Sequence, residues 1–176
     1  MTATHAAFLR GVNLAGKRKT GSAELRGCFE GIGLGDVATF RTSGNVVFRA
    51  KPAPKAKGLE DALHEAFGFE VQVFLRTAAQ VRKIAAQDPF PRARSEGKLQ
   101  VALLSSKPSP AKQKKILELA TDEDRLSFGD RELYWLPSGR MRDASLDLRT
   151  VEKLTDAWTM RTKATLELLA ARFFGA

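Results

Sequence analysis

The chain is 176 residues long, 43% hydrophobic and 28% charged, which suits one domain with a full core or two small subdomains. Its single cysteine, Cys28, excludes an intrachain disulfide framework and any cysteine-based metal cluster. The formal net charge is +9, and residues 1–60 hold ten basic and four acidic side chains, a net of +6, against 19 and 16, a net of +3, in the remainder. Such an excess attracts phosphate-bearing partners, and it is equally what a solvated, soluble surface carries.

In chain order, "MTATHAAFLRG" has neither the basic start nor the apolar length of a signal peptide. No stretch approaches the ~18 apolar residues of a membrane span. These features lead us to expect a soluble, cytoplasmic protein with no membrane partner. Ala6–Arg10 reads as a strand. "SAELRGCFEGIG" follows as a helix with Ser22 as N-cap, apolar Leu25, Cys28, Phe29 and Ile32 at helical spacing, and Gly33 as its stop. Cys28 reads there as a small buried residue rather than a nucleophile. "VATFRTSGNVVFRA" predicts a hairpin of strands Val37–Arg41 and Asn45–Arg49 about a Thr42-Ser43-Gly44 turn. "GLEDALHEAFG" is a helix ending at Gly68, and "EVQVFLR" alternates as a strand.

The order strand-helix-strand-strand-helix-strand is the split βαβ, or ferredoxin-like, arrangement. Beyond Thr77 come a helix closed by "DPFP", a strand in "LQVALLS", a helix over Ser109–Ala120 and a hairpin of "RLSF" and "ELYWLP". Two helices, within Leu146–Asp156 and Thr159–Phe173, close the chain. The expected fold class is α+β with two tandem ferredoxin-like lobes, 1–76 and 77–176, mostly antiparallel sheets with helices on one face. No pattern in the chain encodes an oligomeric state.

In a ferredoxin-like lobe the first and third strands are antiparallel neighbours, so the loop leaving the first strand meets the second-to-third hairpin. Arg10, Asn13, Lys17, Arg18 and Lys19 would then face Arg41, Ser43 and Asn45, beside the positive end of the helix starting near Ser22. The loop from Gly11 to Gly21 is longer than the ~4–6 residues usual between elements. Gly11, Gly16, Gly21 and, in the hairpin, Gly44 let backbone N–H groups approach a ligand. This constellation suits a small ligand bearing phosphate or carboxylate oxygens. It equally describes a solvated basic loop in which asparagine and glycine serve only the turns.

The stretches "FLRGVNLAGKRK", "AELRGCFEGIGLGDVATFRTSGNVVF" and "DPFP" resemble the bacterial uncharacterised family known as domain of unknown function 1697. The resemblance implies a two-lobe α+β fold of ferredoxin-like type and no established activity, cofactor or substrate. That family's chains usually carry a motif similar to "RNWNT" ahead of their last apolar helix. Here the stretch is "RTKAT": Arg161 and Thr165 fit the motif, whereas Thr162, Lys163 and Ala164 depart from it. By resemblance, Arg161 joins the candidate ligand-binding residues.

Other chemistries find little support. His5 lies near the terminus and His64 sits mid-helix without a second ligand at metal spacing, so no metal site and no cofactor is expected. "TSGNV" lacks the flanks of a serine nucleophile elbow, and "GIGLGD" follows a helix where a dinucleotide fingerprint would follow a strand. By topology the opening loop is similar to that of acylphosphatases, in which an arginine and an asparagine hold an acyl phosphate, although their own loop motif is missing here. On that analogy Arg10 would bind oxyanion charge and Asn13 or Asn45 would position water. The alternative is a nucleic-acid-binding protein using the basic N-terminal lobe, which needs aromatics on an open sheet face. The first strand offers only Phe8 and the third only Phe48, and core positions suit both. Tyr134, Trp135 and Trp158 read as core rather than as a protein-binding surface.

Overall fold

The computed structural model describes residues 3–13, 18–41, 44–91, 97–141 and 144–175. Backbone contacts divide the chain into two units, Met1–Lys83 with Leu168–Ala176, and Ile84–Glu167. The first sheet is formed by β1 (His5–Arg10), β2 (Gly35–Thr39), β3 (Asn45–Arg49) and β4 (Gln72–Thr77). Helices α1 (Ser22–Gly31) and α2 (Ala56–Phe67) connect them, and α3 (Ala78–Ala86) follows. The strand order is β2-β3-β1-β4, antiparallel at each pairing. The second sheet repeats the plan with β5 (Gln100–Leu104), α4 (Pro110–Leu117), β6 (Asp124–Phe128), β7 (Glu132–Pro137), α5 (Leu148–Leu154) and β8 (Trp158–Thr162), then α6 (Lys163–Phe173). Its order, β6-β7-β5-β8, is the same arrangement. The fold is α+β, with two ferredoxin-like units.

Strand alternation explains the first core. Ala7, Leu9, Val46, Phe48 and Val73 project from the sheet onto Leu25 and Phe29 of α1 and Leu59 and Leu63 of α2. Each fully buried side chain of this size contributes roughly 1.5–3 kcal/mol of hydrophobic stabilisation. Residues on the alternate positions, Ala6, Phe8, Val47 and Phe74, are buried as well. Cys28 packs half-buried against the core, and burial pushes its thiol pKa up. Tyr134 and Trp135 are buried as expected, and the Trp135 indole donates to the buried Asp124 carboxylate at 2.7 Å.

Four expectations need correction. The closing stretch holds one strand more than the sequence suggests. Trp158–Thr162 pairs with β5, from Gln100↔Thr162 to Leu104↔Trp158. Trp158 and Met160 face the second core while Thr159 and Arg161 take alternate positions, and five residues are too few to separate this period from a helical one. In the first unit, β2 spans Gly35–Thr39, so Phe40 and Arg41 lie beyond it, with Arg41 in the left-handed region at φ 59°. The N-cap of α1 is Gly21, one residue before Ser22. His5 opens β1, stacked on Phe48 at 5.7 Å and bonded to the Thr4 hydroxyl at 2.8 Å.

One local feature recurs in both units. β4 and β8 both end in Arg-Thr and pass directly into a helix. Thr77 and Gln80 cap α3 reciprocally, each accepting the other's backbone N–H, and Thr162 accepts the Thr165 N–H at the start of α6. The arginines before them, Arg76 and Arg161, are both buried and donate to the carbonyl of the preceding residue.

One crossing sets the geometry around the opening loop. The Leu9 N–H donates to the Gly44 carbonyl at 2.8 Å, just outside the regular β1–β3 ladder. Gly44 has φ 73°, and a Cβ there would meet Val12 Cγ2 at 2.7 Å and Leu9 Cβ at 3.0 Å. Glycine is required on both counts. Replacing it, Gly44→Ala, should cost about 2 kcal/mol or more, combining left-handed strain with overpacking, as read from urea unfolding midpoints.

His5 yields a pH prediction. Burial lowers its pKa below the ordinary 6.5, so the unfolded chain takes up the proton first. Stability therefore falls as pH drops below about 6.5 and levels once the folded-state pKa is passed. A His5→Phe variant, which keeps the stacking, should lose that component of the acid dependence, measured as urea midpoints between about pH 7.5 and pH 5.

Candidate functional site

The loop after β1 and the β2–β3 hairpin do come together. They enclose a cleft of about 230 Å³ lined by Asn13, Thr20, Gly21, Ser22 and Leu25 on one side and by Thr39, Arg41, Gly44 and Asn45 on the other. A second, more open depression of about 380 Å³ shares Asn13, Thr20 and Gly21 and adds Lys19. Arg41 of the cleft and Lys19 of the depression are both exposed.

The polar residues divide into those that build the cleft and those left open to it. Asn13 builds. Its N–H donates to the Arg18 carbonyl at 2.9 Å and its Oδ1 accepts the Thr20 N–H at 3.0 Å. Asn13 and Arg18 both sit in the left-handed region, at φ 54° and 52°, which Asn tolerates best. Asn45 builds too. It is 1% exposed, its Nδ2 donates to the Phe40 carbonyl at 2.9 Å, and its carbonyl accepts the Phe40 N–H at 2.9 Å. The amide closes the hairpin that carries Arg41.

Thr20 and the start of α1 are different. The Thr20 hydroxyl is buried and has no hydrogen-bond partner among the described residues, although it lines the cleft. A buried unpaired hydroxyl costs roughly 1–3 kcal/mol. Next to it, Gly21 caps α1 with no side chain to offer, so the N–H groups of the first turn lack the usual Ser, Thr or Asp acceptor. The Gly21 N–H itself is held by the Glu24 carboxylate at 2.7 Å.

The other predicted residues lie elsewhere. Arg10 follows Leu9 in β1. Since Leu9 faces the helix-side core, alternation turns Arg10 to the opposite face, away from α1. Gly11, at φ 97°, brings the chain within 3.0 Å of the Glu70 carbonyl if a Cβ is added, and serves the bend rather than the cleft. Arg18 lies over the Phe69 ring, 5.4 Å from its centroid. Gly16, Lys17 and Ser43 lie outside the described residues. Thr20 and Thr39 were not singled out from the sequence, and Ser22 was read only as the N-cap of α1. A hydroxyl next to a glycine carried a signal only once its burial was known.

Arg161 lies in the second unit, donating to the Thr159 hydroxyl at 2.9 Å and the Met160 carbonyl at 2.7 Å. Burial pushes its pKa down to about 10, which leaves it charged at neutral pH. The residues that depart from "RNWNT" have structural partners. Thr162 pairs with the Thr165 hydroxyl at 2.8 Å, and Lys163 Nζ donates to the Ala85 carbonyl at 2.6 Å and to Glu167 at 2.7 Å. Among the described residues, no three His, Cys, Asp or Glu side chains come together as a metal site, and no helix is long and apolar enough to cross a membrane.

Comparison with known proteins bears on the fold and on the family. No curated protein matches the chain. A solved structure, that of the conserved bacterial protein SP0830 from Streptococcus pneumoniae, is similar with a TM-score of 0.70 at 20% identity, covering 96% of this chain and 97% of that one. At that identity the likeness speaks for the fold alone. The family model described as "Protein of unknown function (DUF1697)" matches residues 1–134, from β1 into β7 and so across the whole cleft. The chain belongs to that family.

Proposed function

We propose that the protein binds a small anionic ligand, through a phosphate or carboxylate group, in the cleft between the β1–α1 loop and the β2–β3 hairpin. The observation that carries this reading is the Thr20 hydroxyl, buried and unpartnered at the wall of the cleft. Native proteins rarely leave a buried polar atom unpaired, and a ligand oxygen would satisfy it. Around it stand the complementary groups: amide N–H groups of the glycine-capped α1, the positive end of its dipole, and the guanidinium of Arg41. A cleft of about 230 Å³ suits a small ligand.

Nucleic-acid binding by base stacking on the strands is less well supported. Phe8 and Phe48 are fully buried, and stacking needs an accessible ring face.

The test pairs two variants under inorganic phosphate. In wild type, phosphate should raise the melting temperature with saturation, by mass action. Arg41→Ala should weaken phosphate binding by about tenfold, the order expected for a charge-assisted contact. Thr20→Val should act with opposite signs on its two readouts. It should raise the melting temperature of the phosphate-free protein, because an unpaired hydroxyl is removed, and weaken phosphate binding several-fold. A phosphate response that is absent, or that is unchanged in both variants, sinks the reading. A response that instead grows with RNA length and collapses with salt would favour the polyanion alternative.

A further inference from the structure

We propose that Phe173, near the C-terminal end of α6, is a positioning residue for this cleft, setting the direction of the Arg41 guanidinium through Phe40. The inference rests on the anion-binding reading and extends it to a segment more than a hundred residues away in sequence.

Four side chains form a continuous stack within the first unit. The Arg172 guanidinium lies 5.3 Å from the Phe173 ring centroid. The Phe173 ring meets Phe40 edge-on, at 5.9 Å and an interplanar angle of 81°. The Arg41 guanidinium in turn lies 5.5 Å from the Phe40 centroid. Edge-to-face rings and cation–π contacts of these separations are attractive geometries. They end at the cationic group that lines the cleft.

Both ends of the stack are anchored. At the C-terminal end, Phe174 is 2% exposed, its N–H donates to the Ala170 carbonyl at 2.9 Å, and its own carbonyl accepts Arg82 Nη1 at 2.9 Å. At the cleft end, Phe40 is fixed by two hydrogen bonds with Asn45, one to each backbone polar group. Between them, Phe173 and Phe40 are only half-buried, and Arg41 is exposed on a left-handed residue beyond the end of β2. An exposed arginine has many rotamers, and holding it in one costs entropy that the ligand would otherwise have to supply. A ring braced from behind gives the guanidinium a fixed surface to lie on. That is preorganisation of the binding cation.

The test is a double-mutant cycle on phosphate affinity, read by calorimetric titration of the full chain. Phe173→Ala should weaken phosphate binding about three- to tenfold, and Phe173→Tyr, which keeps the ring edge, should stay within about twofold of wild type. Phe173→Leu keeps volume without the ring and should resemble Phe173→Ala, which guards against loss of folding in the alanine variant. In an Arg41→Ala background, Phe173→Ala should have no further effect. Wild-type affinity in Phe173→Leu, or a full additional loss on top of Arg41→Ala, overturns the positioning role while leaving the cleft a binding site. Absence of phosphate binding by wild type overturns both readings together.

Discussion

The candidate site depends on the close crossing of Leu9 and Gly44. A β-hairpin and a strand-to-helix loop leave a ferredoxin-like sheet at the same end, but topology alone places them only within reach. Here the last core residue of β1 donates its N–H to Gly44, and the absence of a Cβ at Gly44 lets Val12 and Leu9 close onto the hairpin backbone. Loop and hairpin then become two walls of one cleft rather than two separate turns. Asn13 on one wall and Asn45 on the other lock each turn internally, so the walls are shaped before any ligand arrives. Such prior shaping lowers the ordering cost of binding.

A division of labour among polar groups follows. Asparagine is the residue that reading a sequence most readily assigns to ligand contact, because it donates and accepts. Here the Asn13 carbonyl and the Asn45 amide are both committed to the backbone, and at Asn13 the tolerance of asparagine for the left-handed region is used as well. The other polar groups of the cleft are less conspicuous. They are a threonine hydroxyl with no partner among the described residues, the first turn of a helix capped by glycine, and an arginine in aromatic contact. Three non-glycine residues about the loop and hairpin, Asn13, Arg18 and Arg41, occupy the left-handed region, a strain of the kind that surrounding structure must hold in place.

How much of this could be read from the sequence follows from the range of the interactions involved. Alternation in "EVQVFLR" and the apolar spacing of α1 are local, and they led to the right elements. The meeting of loop and hairpin was also legible, because it follows from strand order. β8 was not. "WTMRT" carries a strand's alternation for five residues between two helices, and its identity is settled by pairing with β5, some sixty residues earlier. Arg10 illustrates a different failure. Its sequence position beside the loop is right, but the one-residue parity of a strand sends its side chain to the other face. Thr20 was illegible because burial without a partner is a property of packing, and no local pattern encodes it.

The two units, built to one plan, separate scaffold from site. Both carry the same strand order, and both end their fourth strand in a buried arginine and a threonine that caps the next helix. Those repeated features are what the fold itself needs. What differs is the connection after the first strand. In the second unit β5 reaches α4 through the short segment Ser105–Ser109, and Ser109 caps that helix with its own hydroxyl by accepting the Lys112 N–H. In the first unit the same connection runs from Gly11 to Gly21, and the cap position holds a glycine. A side-chain cap is thus present at α4 and absent at α1. A side-chain cap, typically worth about 1 kcal/mol, is absent at the helix start that lines the cleft, as it is at Lys55 before α2. That asymmetry is hard to explain as turn geometry alone, since the shorter connection shows that the fold closes without it. The anion site proposed above lies where the two copies of one scaffold differ.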